Sequence, residues 1–481
     1  MAGEQKVRPG TYVRYWNRGT PPAAGVDDGV CAAVFRSHWG PLNTPVEIEN
    51  FADVARIFGT GGTTAVPIEQ FRGGARRVVC CRVGIGGKRA EGTITDADGN
   101  DALKVTMKYH GNREFYVTLR PALAAPDTTG EMLLLEGTTV LERFTFALEA
   151  PGADASEALV STQASRLVAA AKGSRFFDLD EVSPKSTGVL VPQSGDNVVT
   201  EIKGGVDPDE TEAAYSKAFE ALEGANWNVL SIDTNDVATH EMMQMFLNRV
   251  YAEGMFVMGV VGEPTSVGFE DRLTNAAAFN DYQMVYVGNG FVDAANERYE
   301  GWLAAARVAG MIAGTPSSQA VTRLAVRNAV DLTERLANRQ VEQALQSGML
   351  VFTRSANNTV WVEQGVNTLV TPKSHQDNGW QKIKRAKVRF ELFSRLTRSV
   401  APLIGRINND PDGRMTVIQL CNTVCNAMVA EGKLLSGAHV ELDPANPPQG
   451  DSAWFQVFAD DIDALEKAYF AFGFRFAPDE A

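Results

Sequence analysis

Val229-Leu230-Ser231-Ile232, then the helical stretch Thr239–Tyr251, then Met255-Phe256-Val257-Met258-Gly259-Val260-Val261 carry the reading of the fold. A strand that is apolar along its whole length is covered on both faces. Strand, helix and strand at this spacing make a βαβ unit with the two strands parallel in one sheet. Gln283–Val287 adds another strand. Upstream, Asp207-Pro208 offers an N-cap with proline at the first helical position, which predicts a helix to about Leu222, stopped at Gly224.

Working outward, Trp302–Ile312 reads as a helix, followed by a turn at Thr315-Pro316 and a second helical stretch to about Gln346. Leu350–Thr353 and Val360–Glu363 then form a hairpin-like pair. On the other side, residues 26–84 read as the first part of the α/β core. They hold strands at Val30–Phe35 and Arg77–Val83 and a helix over Pro45–Phe58 ended by Gly59. The period changes to two over 85–200: Leu103, Val105, Met107 and Tyr109 alternate with Lys104, Thr106 and Lys108, and Phe115, Val117 and Leu119 repeat the pattern. Further strands are expected at Met132–Leu135 and Val140–Phe146, and a helix at Ser156–Ala171. The expectation is an α/β, multi-domain chain (α+β overall). A parallel-sheet core, 26–84 and 201–372, carries a β-rich insertion at 85–200. An α+β C-terminal domain covers 373–463, with extended arms at 1–25 and 464–481.

The chain has 481 residues, 44% hydrophobic and 22% charged, with a formal charge of −14. This is a globular composition, and the acidic balance argues against nucleic-acid binding. The longest apolar run falls far short of the roughly 20 residues of a membrane span, so no membrane insertion is expected. No basic opening followed by an apolar stretch suggests a secretory signal. Five cysteines are too few for a disulfide framework.

Motifs of chemistry are weak. Gly86-Gly87-Lys88 is followed by Arg89 where a phosphate loop requires Ser or Thr. Gly59, Gly61 and Gly62 read as a turn at a helix end. Cys421 and Cys425, one helical turn apart, read as core residues rather than metal ligands. Asp96–Asp101 lacks the glutamate of a calcium loop and reads as a hairpin turn. No cofactor, metal or catalytic residue is expected on these grounds. The enzyme alternative rests on Asp233, Asp236 and His240, at the carboxyl end of a βα strand where open α/β sheets place ligands; helix capping explains such residues equally well.

Two features have no place in an ordinary globular core. Ala468, Phe470, Phe472, Phe474 and Phe476 would form one apolar face of a terminal strand. Such a strand either completes its own sheet or adds to a sheet in a neighbouring subunit, where main-chain bonds give affinity and alternate side chains give register. Thr11-Tyr12-Val13-Arg14-Tyr15-Trp16, in the N-terminal arm, is a second such run. The other feature is a basic stretch, Lys373, Lys382, Lys384, Arg385, Lys387, Arg389, Arg395, Arg398 and Arg406, opposed only by Asp377 and Glu391. Ile383, Ala386, Phe390 and Phe393 at helical spacing make it an amphipathic helix with a cationic face. Residues 441–481 are strongly acidic in turn, which suits assembly or docking between unlike charges.

The chain resembles the contractile tail sheath proteins of bacteriophages and phage-derived particles. The resemblance is carried, in order, by Arg8–Val13, Phe35-Arg36-Ser37-His38-Trp39-Gly40-Pro41, Lys203–Asp207 with the strand Trp227–Asp233, Gly301–Gly310, Gly365-Val366-Asn367-Thr368-Leu369-Val370-Thr371, and Val457–Tyr469. It implies a structural, non-enzymatic subunit that polymerises helically around an inner tube and shortens from a metastable extended state to drive the tube through a target envelope. It further implies arms at Thr11–Trp16 and Ala468–Phe476 that donate strands to a neighbour, with Ala438–Leu442 and Trp454–Phe458 in the receiving sheet. The basic helix (Lys382, Lys384, Arg385, Lys387, Arg389) would face the tube. Implied partners are further copies of the chain, the inner tail tube protein, and baseplate and tail terminator proteins. The implied location is a virion tail or phage-derived particle, made and assembled in the host bacterial cytoplasm. Besides the enzyme, a non-contractile particle shell protein is the remaining alternative.

Overall fold

The computed structural model describes residues 28–149, 162–183, 185–191, 197–374 and 376–474. They fall into two compact units: Asp28–Lys387 with the segment from Ala464, and Val388–Asp463. The boundary lies inside one helix, Ile383–Val400.

The larger unit is built on a seven-stranded sheet. Its order is Met349–Leu350, Met284–Val287, Met258–Gly262, Val229–Ile232, Val30–Phe35, Arg77–Arg82 and Val46–Ile48. Every pairing is parallel except the last, which is antiparallel. All six residues of Val30–Phe35 are buried, as a strand covered on both faces requires. Ala32 and Val34 pack with Ala218, Phe219 and Leu247 from the helices Glu212–Leu222 and Val237–Ala252. The opposite face meets the helices Ala65–Gly73 and Trp302–Gly314. Those two helices touch backbone to backbone. A Cβ on Gly310 would lie 2.0 Å from the Gln70 carbonyl oxygen, so the Ala/Gly-rich sequence of 303–314 is a packing requirement. Between them the buried Arg307 guanidinium donates to Glu69 at 2.8 Å and lies 4.9 Å over the Phe291 ring.

The β-rich part has a four-stranded antiparallel sheet (Val198–Ile202, Phe115–Pro121, Thr129–Glu136, Thr139–Ala147) and a three-stranded one (Arg89–Thr95, Asp101–His110, Phe177–Glu181). Alternation decides which side chains enter their shared core: Leu103, Val105 and Met107 are buried with Phe115, Val117 and Leu119. Trp39 joins this core, 5.3 Å from Phe115 and 5.7 Å from Phe176 between ring centres. The Phe35–Pro41 stretch therefore leaves the parallel sheet and locks into the β-rich core.

In the smaller unit, the helix Pro411–Ala430 begins where Asp410 accepts the Gly413 N–H at 2.7 Å. It packs with the 388–400 part of the preceding helix through Val388, Leu392, Val417, Cys421, Val424, Cys425 and Met428. A two-stranded antiparallel hairpin, His439–Leu442 with Phe455–Phe458, completes the unit.

Several elements differ from the sequence reading. Residues 45–58 are not one helix: Val46–Ile48 is an edge strand and the helix is Phe51–Phe58, because the Asn50 side chain accepts from the Ala52 N–H and starts it there. Asp207-Pro208 does not open a helix. Val206 and Asp209 bridge to Lys88 and Ile85, and the helix begins at Glu212. The second helical stretch before Gln346 is only Asn338–Gln346, preceded by a strand, Ala329–Leu332. A helix at Phe269–Phe279 has no counterpart in that reading. Gly59, by contrast, ends its helix as expected, with φ 75° and its N–H on the Ala55 carbonyl. Asp96 turns its hairpin by accepting the Asp98 and Asn100 N–H groups.

Candidate assembly surface

Asp233, Asp236 and His240 each have local work. Asp233 is fully buried and accepts from the Arg36 N–H at 2.8 Å, Arg36 Nε at 2.9 Å, Tyr215 at 2.6 Å and Thr63. Burial, reinforced by the Asp233 carboxylate, pushes the Tyr215 hydroxyl upward, so it stays a donor. Asp236 caps the helix Val237–Ala252 by accepting the Thr239 N–H at 2.8 Å. His240 is buried, its pKa lowered by desolvation, and its Nε2 lies 2.9 Å from the Thr234 carbonyl oxygen. A neutral imidazole donates that bond. Among the described residues no group of three His, Cys, Asp or Glu side chains is placed to hold a metal ion, and no helix is long and apolar enough to cross a membrane.

The basic stretch is largely engaged within the chain. In the larger unit Lys382 lies 3.1 Å from Glu466, Arg385 lies 3.5 Å from Asp377, and Lys387 Nζ donates to the Ile312 and Thr315 carbonyl oxygens at 2.5 Å. Lys384 is buried. In the smaller unit Arg389 donates to Asp461 at 2.8 Å. Glu391, Arg395, Glu431 and Lys433 form an alternating ring of charge, with Arg395 on Glu391 and on Glu431 (2.7 Å), and Lys433 on Glu391 and Glu431 (both 2.7 Å). The hydrogen bond from Arg395 pulls the Glu431 carboxyl down to about 2. The acidic terminal stretch thus supplies partners to the basic helix: Asp461 in one unit and Glu466 in the other.

Two surfaces remain that the fold leaves open. One is the terminal segment. Phe470, Phe472 and Phe474 are 79%, 78% and 87% exposed, and their rings lie 6.4 and 6.5 Å apart in sequence, stacked on one side. This is the alternation expected of extended chain, and residues 465–474 lie in no strand ladder among the described residues. Phe476 and the N-terminal run Thr11–Trp16 lie outside the described residues. The second surface is the hairpin His439–Leu442 with Phe455–Phe458. Each of its strands has one strand partner among the described residues, and Trp454, Val457 and Phe458 are exposed. A lone two-stranded hairpin is marginal in water, and this one gains support from the Pro411–Ala430 helix.

Residues 210–368 match the family model of the phage tail sheath protein central domain. The span holds the helices Glu212–Leu222 and Trp302–Gly314 and four of the parallel strands. The phage-like element PBSX protein XkdK of Bacillus subtilis is 22% identical over 412 residues, 84% of this chain and 81% of that protein. A sheath tail protein of Desulfitobacterium hafniense shares the fold with a TM-score of 0.69 at 19% identity, over 94% of this chain and 100% of that one. The helical sheath of the anti-feeding prophage in its contracted state gives 0.53 at 11% identity, over 97% and 98% of the two chains. The match to the sheath central-domain model covers residues 210–368, and the solved sheath structures share the fold over nearly the whole chain.

Proposed function

We propose that this chain is the structural subunit of a contractile sheath, which polymerises helically around an inner tube and shortens to drive that tube through a target envelope. The observation that carries the reading is the terminal segment: three aromatic rings on one side of an extended chain, left in water by their own fold. Apolar rings so displayed mark an interaction site, and an extended segment with one apolar face suits strand addition. The occupant-to-surface pairing is arm on hairpin. The terminal segment of one subunit adds to His439–Leu442 or Phe455–Phe458 of the next, and Thr11–Trp16 serves as the second arm. Such contacts are heterologous and do not close, so they propagate as a helix.

Contraction then needs no nucleotide. The extended state is metastable, contracted interfaces are larger or more complementary, and a small gain per subunit is multiplied along the sheath. A tube contact by the Lys382–Arg389 stretch belongs to the same proposal. Its cations already hold Asp377, Asp461 and Glu466, so acidic tube groups would join existing pairs. Baseplate and terminator proteins would cap the polymer, within a virion tail or a phage-derived particle assembled in the bacterial cytoplasm.

The arm-on-hairpin pairing is tested by mixing two populations, one carrying Phe472→Cys and the other Val457→Cys, under mild oxidation. The native thiols are buried, and burial pushes Cys81 up to about 12 and Cys421 up to about 11, so they stay silent. A disulfide-linked dimer that forms only in the mixture is the expected result. Mixtures that stay monomeric at polymerising concentration contradict the pairing.

A further inference from the structure

From Leu465 to Phe474 every described residue is exposed but one. The exception is Glu466, whose side chain is 10% exposed. Its carboxylate is gripped from three separate segments of the larger unit. The Thr322 hydroxyl donates to Oε1 at 2.7 Å, the Gln364 amide donates to Oε2 at 2.7 Å, and Lys382 Nζ lies 3.1 Å from Oε2. The three segments are themselves tied together. The Gly365 N–H donates to Thr322 Oγ1 at 3.0 Å, and the Ile383 N–H donates to the Gly365 carbonyl at 3.0 Å. The Thr322 hydroxyl thereby accepts one bond and donates another, which fixes its orientation. Glu466 lies within Val457–Tyr469, one stretch that carries the family resemblance, and its partner Gln364 immediately precedes another, Gly365–Thr371.

We propose that Glu466 is the anchor of the C-terminal arm, a positioning residue that sets where the arm leaves the larger unit and receives the pull when a neighbouring copy holds it. What the arm is for rests on the sheath reading; the clasp does not. An extended chain spans at most about 3.6 Å per residue, so with Glu466 fixed the Phe470 position stays within roughly 14 Å of the clasp. Without the clasp the tether starts earlier in the chain, and the volume the rings explore grows. A wider search lowers their effective concentration at a neighbour's hairpin. A carboxylate held by an ammonium and two neutral donors suits the task, because charge-assisted bonds are the stronger kind and need no apolar cover.

The test uses the full chain with Glu466→Lys, alone and combined with Lys382→Glu, together with Gln364→Leu, which removes a donor without changing charge. Chymotrypsin cleavage after the exposed Tyr469, three residues beyond the clasp, is followed in dilute protein; pelleting at rising concentration measures assembly. The proposal expects cleavage to rise roughly tenfold or more in Glu466→Lys, the effect of losing charge-assisted bonds. It also expects a smaller rise in Gln364→Leu, an unchanged melting temperature, and a higher concentration for polymerisation. The double variant should restore both rates toward the parent. Unchanged cleavage in both single variants would overturn the clasp. Faster cleavage with unaltered polymerisation would overturn its role in presenting the arm while leaving the sheath reading standing. If the parent chain does not polymerise, the sheath reading fails, and the cleavage rates still decide the clasp.

Discussion

Replacing Asp233 by alanine would remove one carboxylate acceptor shared by Tyr215, Thr63 and the backbone N–H and Nε of Arg36 in one step. Removing an acceptor that several donors share costs about 2 kcal/mol or more, whereas Tyr215→Phe, which removes one donor, should cost about 1 kcal/mol. Urea denaturation of the two variants checks the ranking. Equal, small losses would mean that Asp233 is not the pin that the geometry describes. At this scale the position of Asp233 at a strand end was legible from the sequence and its duty was not. An aspartate there suits a ligand site or a structural bond equally well, and the partners that decide between them, Arg36 and Thr63, come from 197 and 170 residues away.

At the scale of elements, the smaller unit depends on its ring of charges, and this has a pH signature. Glu431 in the folded chain sits near 2, below its ordinary value of 4.5. A depressed carboxylate contributes stability that is present above about 4.5 and is lost as pH falls toward 2. Glu431→Gln should therefore be less stable than the parent at pH 6, with the gap closing between about pH 4.5 and pH 2. The side chain is 39% exposed, so solvent screening keeps the gap modest. Denaturant midpoints of both proteins across that range give the answer; a gap independent of pH would contradict the ion-pair account. The sequence showed the strands and helices with strong periodicity, such as Val30–Phe35, Asp101–His110 and Trp302–Gly314. It misplaced elements whose ends are set by remote partners. Val206–Asp209 pairs with a loop some 120 residues earlier instead of starting a helix, and Val46–Ile48 is drawn into the sheet edge by Arg77–Arg82. The basic helix was legible as a helix. In the sequence its charges suggest a face for the tube or another unlike-charged partner, because Asp461 and Glu466, which hold Arg389 and Lys382, lie more than 70 residues along the chain.

At the scale of the whole molecule, the account makes one demand: a chain that leaves aromatic rings at its C-terminal segment in water should not remain single. Polymerisation should depend on the segment that carries those rings and should yield an open helical object rather than a closed oligomer. Negative-stain electron microscopy of the purified full-length chain at high concentration, beside a variant lacking residues 464–481, tests this most directly. The account predicts long hollow cylinders from the full chain and none from the truncated one. Discrete small particles from both would contradict it.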